Sequence, residues 1–289
     1  MILSARGRKI EFPRRPLIMG IVNVTNDSFT GDGCMETEEV LALARKHLAN
    51  GADIIDVGGE SARTNRPQIT EQDEVARLEP FLRRFGEVFG TPIDDLQLNP
   101  PLLSINTWRP KVAARMLNLG AHLLNDLSAL PTDENARVAA AHGAALLIMH
   151  SVGQPKQKHT HVAYDDVLGA VEGFFEEKIA LAMAAGVERE AIILDPGIDF
   201  AKQKMDNLRI FRELNCLQRF GRPILLPVSR KTAIGEALGI VDPAKRDAGT
   251  LACLVAGVLR GASIFRVHNV RAVAQALRVI YPIVTVGVG

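Results

Sequence analysis

The sequence predicts a single (β/α)8 TIM barrel, an α/β fold, spanning residues 1–289 with a short N-terminal hairpin in residues 1–16. Three observations predict it. Short apolar runs recur along the chain, and a stretch of helical periodicity follows each one. Eight such strand–helix units can be read in order, which implies a closed parallel barrel. The runs are apolar at nearly every position, as expected of strands buried on both faces, and each ends in polar residues.

Composition narrows the functional classes. The chain is 47% hydrophobic and 23% charged, an ordinary globular balance. A net charge of +1 gives no reason to expect nucleic acid or an anionic membrane as partner. The start is too polar for a signal peptide, and no apolar run is long enough to span a bilayer. Cys34, Cys216 and Cys253 are far apart and form neither metal-ligand spacing nor a disulfide framework, so a cytoplasmic location is expected.

Residues 2–12 alternate around Arg6-Gly7, which predicts a hairpin. The first strand is Leu17–Val24, and it runs into a polar segment with Asn23, Thr25, Asn26, Asp27 and Ser28. A loop through Cys34 leads to a helix with Glu36, Glu38 and Glu39 in its first turn and an apolar face of Leu41, Ala44 and Leu48. The second strand, Ile54–Gly59, is followed by a polar loop, Glu60 to Ile69, that carries Arg63 and Arg66. Thr70, with Asp73 three residues on, predicts a capping box. Gly86 to Pro101 reads as a loop at the bottom of the barrel.

Six further strands follow: Leu102–Asn106, Leu123–Asp126, Ala145–His150, Ala191–Asp195, Pro223–Ser229 and Ile264–His268. Helical patterns separate them at 110–119, 133–142, 164–185, 205–219, 246–260 and 270–280, with a short extra helix from Lys231. The apolar tail, 281–289, is expected to pack on the barrel or at a subunit contact, or to be partly disordered. A doubly wound open sheet is the competing fold, weakened by the lack of a Gly-x-Gly-x-x-Gly turn after the first strand.

Parallel strands all end on one side, so their polar ends converge. They supply Asn23, Asp56, Asn106, Asn125-Asp126, Met149-His150, Asp195, Ser229-Arg230-Lys231, Arg266 and His268. Asn106, Asn125 and Asp195 suit the edge of a flat amide-like heterocycle, because a carboxylate accepts two N–H bonds from an amino-pyrimidinone. Lys231, Arg266, His268 and Arg63 suit a phosphate or pyrophosphate. Asn23, with Asp27 nearby, suits a hard cation such as Mg²⁺. Plainer readings stand beside these: Asp195 as a turn cap before Pro196-Gly197, His150, His159 and His161 as loop residues, and Arg77, Arg83 and Arg84 as solvated helix residues. Arg266 is harder to dismiss, because a guanidinium inside a barrel needs an anionic or stacked partner. No zinc spacing and no Gly-x-Ser-x-Gly elbow occurs.

Asn23-Val24-Thr25 with Asp27-Ser28-Phe29, and Asp56-Val57-Gly58-Gly59-Glu60-Ser61 with Arg63, form two loop signatures. Ser104-Ile105-Asn106-Thr107, Asn125-Asp126, Met149-His150, Leu194-Asp195-Pro196-Gly197, Ser229-Arg230-Lys231 and Arg266-Val267-His268 follow in order. In this ordered set the chain resembles the dihydropteroate synthase family of pterin-binding barrels. The resemblance implies condensation of dihydropterin pyrophosphate with p-aminobenzoate, giving dihydropteroate and pyrophosphate. It implies a pterin site of Asn106, Asn125, Asp195, Met149 and Lys231. It implies a pyrophosphate site of Asn23, Arg63, Arg266 and His268, with Mg²⁺ at Asn23. The implied aminobenzoate pocket comprises Phe29, Ala62, Arg63, Thr64, Phe200, Ser229 and Lys231. Catalysis would rest on Lys231, Arg266, His268 and Asp195, and a homodimer is usual in the family.

The chain departs from the family pattern mainly at the mouth. Asn106 stands where Asp is usual, Asn26 where Pro is usual, and Ala62 and Thr64 where Thr and Pro are usual. Asp199-Phe200-Ala201-Lys202 replaces a Gly-rich turn, Pro227 replaces a small glycine, and the segment from Ser151 to Lys156 also differs. The altered second loop implies reduced sulfonamide affinity. Two alternatives stay open on sequence: a pterin-binding paralogue with lost or altered catalysis, and a folate-dependent methyltransferase on the related barrel.

Overall fold

The protein is described by a computed structural model covering residues 1–25, 36–61, 67–157 and 162–285. β1 (Ile2–Ala5) and β2 (Arg8–Glu11) pair antiparallel, with Leu3 opposite Ile10. Arg6 and Gly7 turn the chain at φ 49 and 78, the left-handed pair that suits a two-residue hairpin.

Eight parallel strands follow: β3 (Leu17–Asn23), β4 (Ile54–Gly58), β5 (Leu102–Asn106), β6 (Leu123–Asp126), β7 (Ala145–Met149), β8 (Ile192–Asp195), β9 (Leu225–Leu226) and β10 (Ile264–Val267). They pair in the order β8-β7-β6-β5-β4-β3-β10-β9, and a Leu194–Ile224 bridge closes the ring. The predicted TIM barrel is therefore present. Around it lie α1 (Thr37–Ala49), α2 (Glu71–Arg83), α3 (Pro110–Asn118), α4 (Glu134–Ala141), α5 (Val167–Ala184), α6 (Lys204–Glu213), α7 (Thr232–Leu238), α8 (Asp247–Leu259) and α9 (Val270–Thr285). Thr70 and Asp73 form the predicted capping box at the start of α2.

Three elements differ from expectation. The seventh barrel strand shrinks to Leu225–Leu226, because Pro223 and Pro227 on either side have no N–H to give the ladder. The helix predicted over 205–219 ends at Glu213, and the chain tightens into a 3₁₀ turn that Gly221 closes at φ 62. α9 does not stop at 280: it continues through Pro282 to Thr285, so this part of the apolar tail is helical.

Side chains alternate in and out of the barrel. Leu17, Met19, Ile54, Leu102, Leu123, Ala145, Leu147, Ile193, Leu225 and Ile264 fill the lower interior, and Leu3, Ala5, Ile10 and Phe12 of the hairpin segment plug it from below. Their neighbours Ile18, Ile55, Leu103, Leu124, Leu146, Leu194 and Phe265 face the helices in a second, larger core. Truncating a buried Leu to Ala in either layer would cost about 2–5 kcal/mol. The two-residue period sets the rest. If Leu17, Ile54, Leu102, Leu123, Ile193 and Ile264 point inward, so do Asn23, Asp56, Asn106, Asn125, Asp195 and Arg266 further along the same strands.

Candidate active site

These inward positions open into a cavity of about 830 Å³ at the C-terminal mouth. That is within the range of small-molecule sites. Asn23, Asn106, Asn125, Met149, Asp195, Phe200, Ser229, Lys231, Arg266 and His268 all line it. The structure thus brings together ten of the predicted site residues. Phe29, Ala62, Arg63 and Thr64 lie outside the described residues, as do Asn26, Asp27, Cys34, Arg66, His159 and His161.

Asp56 of β4 is the buried centre of the floor. Its Oδ2 accepts from Arg266 Nε at 2.7 Å, and its Oδ1 accepts from Ser104 Oγ at 2.6 Å. Asn125 Nδ2 donates to both oxygens, at 3.2 and 3.3 Å. Arg266 therefore has the anionic partner that its place on a strand demands. Asn125 spends its amide N–H on Asp56 and keeps its oxygen. The Oδ1 atoms of Asn106 and Asn125 are buried and have no partner among the described residues. A buried acceptor left in that state costs about 1–3 kcal/mol, so the pair marks where a ligand's N–H groups belong.

Asp195 ends β8. Its Oδ1 accepts from Gly197 N at 2.7 Å, so it does cap the turn. It also lines the cavity. Burial pushes its carboxyl up to about 6, with the Gly197 bond and the Lys231 charge opposing the rise. Gly197 is required here: it sits at φ 70, and a Cβ would stand 1.9 Å from the His150 carbonyl oxygen. Across the loop, Lys231 Nζ donates to Ile198 O at 2.9 Å and lies 4.9 Å from the centre of the Phe200 ring. Burial holds the Lys231 ammonium below the usual lysine range.

His268 Nδ1 lies 2.8 Å from Ser229 Oγ, so the ends of β10 and of the β9 segment are joined at the rim. Arg230 turns away. At φ 58 it sends Nε to Asp247 Oδ1 at 2.9 Å, while Arg246 NH1 holds the Arg230 and Lys231 carbonyls at 3.0 and 3.2 Å. Arg230 thus belongs to the scaffold behind Lys231.

Sequence reasoning missed several groups. The central role of Asp56 could have been found by carrying the inward parity two residues on from Ile54. Lys202 had no such signal. Its Nζ lies 2.8 Å from His150 Nδ1 and 3.1 Å from Phe200 O, and burial brings its ammonium down to about 7. His150 is buried and kept neutral by burial and Lys202 together, with its pKa near 3. It packs against Phe174 at 4.9 Å, so it is a support behind the wall and more than a loop residue. Lys156 reaches from the loop after β7 to Glu60 at 2.8 Å, and Arg109 meets the same carboxylate at 2.7 Å. Arg77, expected to be solvated, donates to Gly59 O at 2.9 Å and fixes the turn after β4.

Among the described residues, no group of three or more His, Cys, Asp or Glu stands together as a metal site. Asn23 lines the mouth, and its side chain carries one neutral amide oxygen. That suits a Mg²⁺ that draws most of its shell from phosphate oxygens and water.

Comparison with known proteins agrees with this geometry. The pterin binding enzyme family matches residues 19–268. The chain is 36% identical over 284 residues to the dihydropteroate synthase of Escherichia coli (strain K12), covering 97% of this chain and 95% of that protein. The structure of the Yersinia pestis dihydropteroate synthase in a sulfonamide drug complex superposes with a TM-score of 0.89 at 33% identity, covering 99% of this chain and all of that one. The Thermus thermophilus dihydropteroate synthase in complex with 4-aminobenzoate gives a TM-score of 0.83 at 35% identity, covering 97% of this chain and 99% of that one.

Proposed function

The chain belongs to the dihydropteroate synthase family of pterin-binding enzymes, and from that premise we propose how its barrel mouth performs the synthesis. The reaction is a transfer. The methylene carbon of 6-hydroxymethyl-7,8-dihydropterin pyrophosphate leaves oxygen for the amine nitrogen of p-aminobenzoate. The observation that carries the site assignment is the pair of unpartnered buried oxygens, Asn106 Oδ1 and Asn125 Oδ1, beside Asp195. Together these three groups accept the N–H edge of the pterin. Lys231 donates to its carbonyl side, and Met149, almost fully buried, packs on the ring.

Arg266 and His268, with Asn23 and Arg63, receive the pyrophosphate. The C–O bond breaks with both electrons on the leaving oxygen, and fixed cationic donors stabilise that charge as it develops. Asn23 would be the residue to hold a Mg²⁺, which when bound would supply Lewis-acid stabilisation of the leaving pyrophosphate. The methylene cation left on the pterin is delocalised into the ring. Asp195 is the cavity-lining carboxylate nearest it, with the buried Asp56 charge beneath Arg266 and Asn125, while Asn106 supplies shape without charge. The aniline nitrogen then forms the C–N bond and releases one proton. Phe200, Ser229 and Lys231 wall the acceptor pocket, together with Phe29, Ala62, Arg63 and Thr64.

The Yersinia relative takes a sulfonamide drug. The same pocket here binds sulfonamides more weakly because of Ala62 and Thr64; an inhibition constant equal to that of an ordinary synthase would overturn this. Leu259 of α8 and Val279 and Ile283 of α9 are exposed apolar residues and give a second copy a face to pair on. Sedimentation at micromolar concentration tests that homodimer. No helix among the described residues is long and apolar enough to cross a membrane, and a cytoplasmic location is proposed.

The test of the function is pyrophosphate release by the purified protein with dihydropterin pyrophosphate and Mg²⁺, with and without p-aminobenzoate. Release that depends on p-aminobenzoate and matches dihydropteroate formed is expected. Pterin binding without release would move the assignment to a paralogue that has lost the chemistry.

A further inference from the structure

The loop from β8 to α6 contains no glycine between Gly197 and α6, yet Asp199 and Ala201 take left-handed backbone at φ 66 and 50. Side chains other than glycine resist that conformation, so the loop needs an external hold. The Asp199 carboxylate supplies one. Its Oδ2 accepts from Thr232 N, and its Oδ1 accepts from Ala233 N at 3.1 Å. Asp199 N donates to Asn207 Oδ1 at 2.8 Å, which ties the same residue to α6. Thr232 and Ala233 begin α7 directly after Lys231. The residue at the start of that helix, Lys231, makes no side-chain cap of its own. The cap comes instead from Asp199, across the wall of the cavity.

The residues on either side of Asp199 meet the same lysine. Ile198 gives its carbonyl to Lys231 Nζ, and Phe200 puts its ring 4.9 Å from that nitrogen. We propose that Asp199 is a positioning residue of the active site: by clasping the start of α7 it holds Lys231 and Phe200 as one rigid wall of the acceptor pocket. The proposal rests on the functional reading above and adds to it the residue that sets the wall. Asp199 also faces Lys231 electrostatically. The charged groups around that ammonium are Asp199 and Asp195, which favour its protonation, and Arg266 and Lys202, which oppose it.

Asp199→Gly and Asp199→Asn, made in the full chain, separate the roles. Glycine takes φ 66 without strain, so the first variant folds while losing the clasp. Asparagine tolerates the same backbone and keeps one oxygen to accept one of the two helix N–H bonds, but carries no charge. The expected result for Asp199→Gly is a KM for p-aminobenzoate raised about tenfold. Its KM for dihydropterin pyrophosphate should rise less, by about threefold, because Lys231 meets the pterin as well as the acceptor pocket. Asp199→Asn should restore the acceptor KM in part and shift the alkaline limb of kcat/KM to lower pH. Unchanged acceptor KM in Asp199→Gly overturns the proposal. So does an equal loss in every parameter tracking a fall in Tm.

Titration of the Lys231 side chain by NMR, in wild type and Asp199→Asn, reads the charge coupling without turnover. An identical titration in the two proteins removes that part of the inference. A wild-type protein that makes no dihydropteroate would overturn the functional reading instead, and the NMR comparison would still stand or fall by itself.

Discussion

Asp53 and Asp56 stand three residues apart, one just before β4 and one in its middle, and each meets an arginine inside the barrel. The lower pair is closed apart from Arg15 Nε, which is buried without a partner among the described residues. Asp53 accepts from Arg15 NH2 at 3.1 and 3.2 Å, from Ile18 N at 2.8 Å and from Leu98 N at 2.9 Å. Arg15 gives further N–H groups to the Pro16 and Leu96 carbonyls. Burial pushes the Asp53 carboxyl up, and Arg15 and the two backbone donors pull it back. The upper pair is open. Among the described residues Arg266 donates only through Nε, to Asp56, and the arginine lines the cavity. A structural ion pair spends most of its donors on its own chain, here both terminal nitrogens of Arg15. A pair that serves a site anchors the guanidinium with one bond and leaves the other N–H groups for a ligand.

Arg15→Met should have the largest effect on folding. It strands Asp53 in the interior and should cost about 3–5 kcal/mol in a urea titration, with KM values unchanged. Arg266→Met should do the reverse. Its kcat should fall about 10²–10³-fold, or roughly 2.7–4 kcal/mol of transition-state stabilisation. It should lose less stability than Arg15→Met, because Asp56 keeps Ser104 and Asn125. Equal losses of stability in the two variants would erase the contrast.

A smaller effect follows from Asp195, whose carboxyl burial raises to about 6. Pterin accepts no help from a protonated carboxyl at its N–H edge. The affinity for a pterin without phosphate should therefore fall about tenfold per pH unit below that value, and Asp195→Asn should flatten the dependence. For stability the sign is opposite. The folded state holds this proton more tightly than the unfolded chain. The contribution is thus fully present below about pH 4 and is lost as pH rises through about 6. Calorimetry across that window checks the stability trend, and pterin titrations at the same pH values check the affinity. The smallest change expected is Ala201→Gly, which relieves left-handed backbone at φ 50 and should add about 1 kcal/mol of stability.

Much of this was legible in the sequence. The barrel was readable because strands buried on both faces appear as unbroken apolar runs, and their polar ends are then conspicuous. Asn106, Asn125, Asp195 and Arg266 were found in that way. The same unbroken runs conceal which side of a strand points inward, so Asp56 was noticed at a strand end without its central role. Lys202, Lys156 and Asp199 come from loops that fold back over the mouth, where no period assigns a direction. On sequence the seventh strand reads as Pro223–Ser229, and only the pairing shows that it holds two residues between Pro223 and Pro227. The helical pattern reads to 280, yet α9 continues through Pro282 to Thr285.

The central claim is that the buried oxygens of Asn106 and Asn125, with the Asp195 carboxylate, are the unfilled half of a pterin site. A crystal structure with a bound pterin tests it most directly. Ring N–H groups are expected within hydrogen-bond distance, about 2.7–3.2 Å, of these three side chains, with the Asp56–Arg266 bond intact beneath. A pterin bound elsewhere, or one that leaves both asparagine oxygens unpartnered, would contradict it.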